Sequence, residues 1–204
     1  AKVVYDRLYT KFRDITPETF NWDVLLDTRV LFVTGITAAL TENTGRTVAF
    51  AVREAARRGV KVALDVNYRS MLWSADKARS VLEPLLEHVS ILFCSRPDGI
   101  KVFGLEGDGP TVNAALRQRY NIPHVVSTDA TAGCYYSGIE GGKIYTIEPV
   151  RVTDRPGAGD ALVGGTLHGY LNDNVMEGVN YGLRTSKLAL IHYGDLTRVT
   201  ASEL

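Results

Sequence analysis

The sequence predicts an α/β fold, a mainly parallel sheet with helices on both faces, on three observations. Short β-branched runs alternate with amphipathic windows of helical period. Glycines punctuate the ends of those windows. Near the C-terminus a glycine-rich turn leads directly into an apolar helical segment. Strand–helix alternation at this spacing places successive strands side by side and parallel. In order, Val3–Tyr5 alternates like an interior strand, and Arg29–Val33 is a strand ending at Gly35. Thr44–Arg58 is a helix with Val48, Val52, Ala55 and Ala56 on one side and Arg46, Arg53 and Arg57 on another, stopped by Gly59. Val60–Asp65 is the next strand, and Ser74–His88 a helix with Ser74 as its N-cap. Ile91–Cys94 is a strand, followed by helices near Gly99–Phe103 and over Thr111–Tyr120, then a strand at His124–Ser127. Cys134–Ser137 and Lys143–Ile147, separated by glycines, form a hairpin. Helices over Asp160–Leu171 and about Glu177–His192 close the chain.

A chain of 204 residues with 45% hydrophobic residues fills one core, so one domain over residues 1–204 is expected. Lys+Arg and Asp+Glu both count 23, which supplies no global field for nucleic acid or membrane. Any anion must be recognised by local groups. Cys94 and Cys134 lie far apart in apolar runs and read as reduced buried thiols, as in a cytoplasmic protein. The four histidines show no metal-ligand spacing, and Trp22 and Trp73 are expected to pack against the sheet.

The chemistry concentrates in Asp154-Arg155-Pro156-Gly157-Ala158-Gly159-Asp160-Ala161. Gly157 and Gly159 allow close backbone approach, and the helix behind them offers unpaired N–H groups and a positive dipole end. That is an anion site. A dinucleotide fingerprint fails at its third small position, where Leu162 stands, and no Gly-Lys-Ser/Thr tripeptide occurs. A carboxylate at Asp160 would repel a stored phosphate. It suits a base that takes the proton of a hydroxyl attacking a phosphoryl group, while the Gly157, Ala158 and Gly159 amides hold charge on the phosphoryl oxygens. The alternative is a plain helix cap. Gly35, Asn67, Arg69, Ser95, Thr128 and the glycine turn all follow predicted strands, where open α/β sheets bind ligands.

The same octapeptide resembles the C-terminal signature of the ribokinase-like (PfkB) carbohydrate kinases. Tyr5-Asp6-Arg7, Gly35-Ile36-Thr37-Ala38-Ala39-Leu40, Asp65-Val66-Asn67-Tyr68-Arg69 with Leu72-Trp73, and Tyr193-Gly194-Asp195 are similar to segments of 2-keto-3-deoxygluconate kinases. The resemblance runs the length of the chain. It implies a ribokinase-like fold, an N-terminally incomplete one, since such kinases carry further residues that supply the first strands and most of a sugar lid. It implies ATP and Mg²⁺ as reactants, a sugar acid as acceptor, and transfer to its C6 hydroxyl with Asp160 as base. Tyr5, Arg7 and Arg69 would contact the keto-acid end, a bidentate task for guanidinium groups. Asp195 would bind substrate hydroxyls, although Gly-Asp also makes an ordinary turn. Asn67, Ser95, Thr128 and Gly133 would lie on the nucleotide side with Gly157 and Gly159.

Two departures stand out. The Asn-x-x-Glu element of such kinases is replaced by Ser95-Arg96-Pro97-Asp98-Gly99, leaving Asp98 as the acidic stand-in beside Mg²⁺. Their nucleotide loop is represented by Thr128-Asp129-Ala130-Thr131-Ala132-Gly133, which keeps only its last glycine. Other acceptors, fructose or ribose, remain open, as does a non-catalytic binding module that needs an N-terminal part. In that case an exposed sheet edge would drive homo-oligomer formation or other association.

Overall fold

The structure is a computed structural model and describes residues 9–196 and 198–200. The expected strand at Val3–Tyr5 lies outside the described residues, as do Tyr5 and Arg7. A short helix α1 (Trp22–Leu25) precedes β1 (Val30–Thr34), α2 (Gly35–Ala39) and α3 (Glu42–Arg57). Then follow β2 (Lys61–Asp65), α4 (Ala75–Leu82), β3 (Ile91–Phe93), α5 (Arg96–Phe103), α6 (Gly109–Tyr120) and β4 (His124–Thr128). The hairpin β5 (Cys134–Gly138) and β6 (Gly141–Tyr145) leads to α7 (Ala158–Leu171) and α8 (Val175–Ile191).

The six strands lie in chain order, β1 to β4 parallel and the last two antiparallel. The pleat divides β1 to β4 between two cores. Val62, Leu64, Leu92 and Val125 pack with Val52, Leu82, Phe103 and Leu116 of the helices α3 to α6. Ala63, Ile91, Phe93 and Val126 face the other way, onto Val163 of α7 and Val175 and Val179 of α8. Cys94 belongs to the first core and Cys134 to the second, so the sheet separates the two buried thiols. Trp22 and Trp73 pack, partly buried, against the first core.

Several predicted elements shift; α5, expected near Gly99, begins at Arg96. The helix expected over Ser74–His88 begins as foreseen, with Ser74 Oγ accepting the Lys77 N–H at 3.2 Å, but it leaves α geometry at Glu83 and continues as a 3₁₀ segment to His88. Pro84 is the cause: it has no N–H for the α ladder and its ring crowds the preceding turn. The second hairpin strand starts at Gly141 rather than Lys143, because Gly138 pairs with Gly141 across a two-residue turn. The helix expected from Asp160 already begins at Ala158.

Helices α7 and α8 approach so closely that side chains are excluded between them. A Cβ on Gly169 would lie 2.2 Å from Gly178 Cα, and one on Gly182 2.4 Å from Leu162 O. This contact fixes α7, and with it the turn at its N-terminus, against the sheet.

Candidate active site

Strands β2, β3 and β4 end at Asp65, Phe93 and Thr128, and beyond those ends lies a cavity of about 320 Å³. Its lining brings together Asn67, Arg69, Ser95, Asp98, Thr128, Gly157, Gly159 and Asp160. Gly35 is not part of this lining; it closes a tight packing contact instead, since a Cβ there would sit 2.1 Å from Val66 O. Gly133 is likewise outside the lining. It shapes the β4–β5 turn, where Asp129 N–H donates to Gly133 O at 2.9 Å.

The glycine turn delivers α7 to the cavity. Gly157 is the N-cap in the left-handed region, φ +80°, and a Cβ there would meet Asp195 O at 2.5 Å. Only glycine satisfies both conditions. No side chain caps this helix start, so its first-turn N–H groups, beginning at Ala158, are left for a ligand. Gly159 is glycine for a different reason: nothing lies within 4 Å of the position its Cβ would take. The missing side chain keeps the cavity open above the amides. Asp160, exposed in the first turn of α7, shares that space.

Asp195 reaches the site through its backbone. Its carbonyl packs behind Gly157, and the neighbouring Gly194 N–H donates to Asp154 Oδ2 at 3.2 Å. Its side chain is exposed and absent from the cavity lining.

The loop after β2 is held by two carboxylates. Asn67, at φ +38°, donates its N–H to Asp65 Oδ1 at 3.2 Å, and the next residue, Tyr68, donates to Asp98 Oδ2 at 3.4 Å. These bonds present Arg69, whose Nη1 rests on Tyr68 O at 3.3 Å. Ser95 caps α5 by accepting the Asp98 N–H at 3.1 Å. Burial, reinforced by the charges of Asp160 and Asp98, pushes the Asp65 carboxyl up to about 7. Burial also raises Asp98. Cys94 lines the same cavity, but burial first, then Asp98 and Asp65, push its thiol well above the usual range, so it stays protonated.

Asp65 and Arg155 are cavity residues to which the sequence reading gave no role. The signal for Asp65 was its place as the last residue of a strand in this kind of sheet. For Arg155 it was a cation two residues from the glycine turn. Among the described residues no cluster of three or more His, Cys, Asp or Glu could hold a metal ion.

A family model described as pfkB family carbohydrate kinase matches residues 3–199. Over its whole length the chain is 33% identical to the 2-dehydro-3-deoxygalactonokinase of Haloferax volcanii, of which it spans 64%. It is 25% identical over 82% of its length to the 2-dehydro-3-deoxygluconokinase of Haemophilus influenzae, of which it spans 54%. The crystal structure of 2-dehydro-3-deoxygluconokinase from Thermotoga maritima superposes with a TM-score of 0.90 at 27% identity, over 99% of this chain and 66% of that one. The chain thus spans less than two thirds of the length of these relatives. Its sheet, its glycine turn and the near-complete family match agree, and this ribokinase-like chain belongs to the pfkB family of carbohydrate kinases.

Proposed function

We propose that the protein transfers the γ-phosphoryl group of ATP to the C6 hydroxyl of a 2-keto-3-deoxy sugar acid, 2-keto-3-deoxygluconate or its galactonate counterpart. The observation that carries this reading is the convergence of Asp160, the uncapped start of α7 and Arg69 on one cavity at the strand ends. The relatives named above, kinases for these two acids by name, support the acceptor class.

Each group has a distinct task. Asp160 accepts the hydroxyl proton as the hydroxyl oxygen bonds to the γ-phosphorus and the bond to the ADP oxygen breaks. The Gly157, Ala158 and Gly159 amides stabilise charge on the phosphoryl oxygens, donors set in place before that charge develops. The open space above Gly159 fits a phosphate chain lying against backbone. Arg69, presented by the Asn67 turn, grips the carboxylate of the acceptor. With no cluster of three or more His, Cys, Asp or Glu for a metal among the described residues, Mg²⁺ would be held chiefly by ATP phosphates and water, with Asp98 beside its hydration shell, and would neutralise phosphate charge.

A coupled ADP-release assay across sugar acids and neutral sugars tests this reading. Turnover should favour the acids and fall at least ~100-fold in Asp160→Asn, the range of general-base contributions. Arg69→Ala should remove the preference for acids over neutral sugars. Equal turnover in the protein and its Asp160→Asn variant would take Asp160 out of the mechanism; a preference for fructose or ribose would reassign the acceptor.

A further inference from the structure

Arg155 shares the cavity with Asp160, Gly157 and Gly159. Its backbone is fixed from three sides. Its N–H donates to Asp154 Oδ1 at 2.8 Å, the other oxygen of the same carboxylate takes the Gly194 N–H, and Pro156 follows with its φ locked by the ring. Its side chain, by contrast, is exposed and has no ion pair or hydrogen bond among the described residues. This is notable because Asp65, Asp98 and Asp160 all line the same cavity, and none comes within ion-pair distance of it. A phosphate chain entering there meets three carboxylates, and the only cations in the lining are Arg69 and Arg155. Arg69 sits at the end of β2 with one nitrogen on its own backbone. Arg155 sits on the amide turn itself.

Resting on the kinase reading above, we propose that Arg155 is a catalytic residue that clamps the oxygens of the migrating phosphoryl group. It supplies in cis a cation beside the first-turn amides of α7. A guanidinium suits this task because its fork matches two phosphoryl oxygens at once and stays charged at any working pH. It also offsets the repulsion that Asp160, required nearby as base, exerts on the donor.

The test compares the protein with Arg155→Ala and Arg155→Lys, each checked for an unchanged melting temperature. Two readouts are used: kcat and KM for ATP and for acid and neutral acceptors, and retention of radiolabelled ADP in the presence of aluminium fluoride and acceptor. Arg155→Ala should lower kcat by roughly 10²–10³-fold for every acceptor, as for other charge-stabilising donors. KM for the sugar acid should stay within about threefold. Arg155→Lys should restore only a minor part of the rate. ADP trapping by aluminium fluoride should be lost in Arg155→Ala, while ADP alone still binds. Unchanged kcat and unchanged trapping in Arg155→Ala, with Asp160→Asn inactive, would overturn the arginine's role and leave the kinase reading standing. A loss confined to KM for the sugar acid would also overturn it, making Arg155 a reader of the acceptor carboxylate. No turnover by the unmodified protein on any sugar or sugar acid would remove both readings together.

Discussion

Asp65 ends β2 with its carboxyl held near 7 by burial and by two neighbouring carboxylates, and this has a thermodynamic signature. The folded protein binds that proton more tightly than the unfolded chain, whose carboxyl titrates near pH 4 (about 3.9). Between about pH 4 and pH 7 folding therefore takes up a proton, and stability falls as pH rises through that window. Asp65→Asn keeps an oxygen for the Asn67 N–H and removes the ionisation. Its melting temperature should match that of the unmodified protein near pH 4 and exceed it at pH 8, by roughly 1–3 kcal/mol of stability. A difference that does not grow with pH would show that the carboxyl is not held off ionisation in this way. The sequence concealed this residue. The glycine turn is legible because its chemistry is written in consecutive letters, whereas Asp65 owes its character to Asp98 and Asp160, which the fold brings in from two other elements.

The pairing of α7 and α8 separates two kinds of glycine on one helix. Gly164 is exposed, and a Cβ there would meet nothing within 4 Å. Gly169 is buried, and its Cβ would collide with Gly178. Gly164→Ala should stabilise the protein by about 0.5–1 kcal/mol through helix propensity alone. Gly169→Ala should destabilise it by about 1–3 kcal/mol, since the helices must part. It should also lower activity, because displacement of α7 carries Asp160 with it. Denaturant titrations of the two variants check the opposite signs. Elements with a long or clear period were readable to within a residue or two, as at β2, β4 and α3. What escaped was α1 and α2, four and five residues long, too short to show a period. Pro84 shows the complementary difficulty: the amphipathic pattern runs on past it while the hydrogen-bond ladder cannot.

The whole molecule has an asymmetric sheet. Among the described residues β1 pairs with no strand but β2, so its outer edge carries no strand partner. Val30–Thr34 contains neither proline nor charge, and Phe32 is 39% exposed. Such an edge templates pairing with another chain. The 204-residue chain should therefore self-associate with rising concentration, and Phe32→Lys should shift sedimentation velocity profiles toward the monomer. Identical profiles for the two would show that this edge is not the contact. At this scale the layered plan was legible from strand–helix alternation, because each parallel crossover needs a helix. Which helices share a face was not, since that depends on which side of the pleat each apolar residue takes.

The division of labour between the two faces bears on how the polypeptide matures. Everything up to β6, including the loops that carry Arg69 and Asp98, is contributed by residues before 146. Asp160 and the glycine turn before it arrive only with the final helical pair. On the ribosome, all six strands and the helices α1 to α6 emerge before Asp160 does. On the kinase reading proposed above, a chain terminated between Tyr145 and Gly157 would keep the Arg69 loop and lack the group proposed to activate the acceptor alcohol.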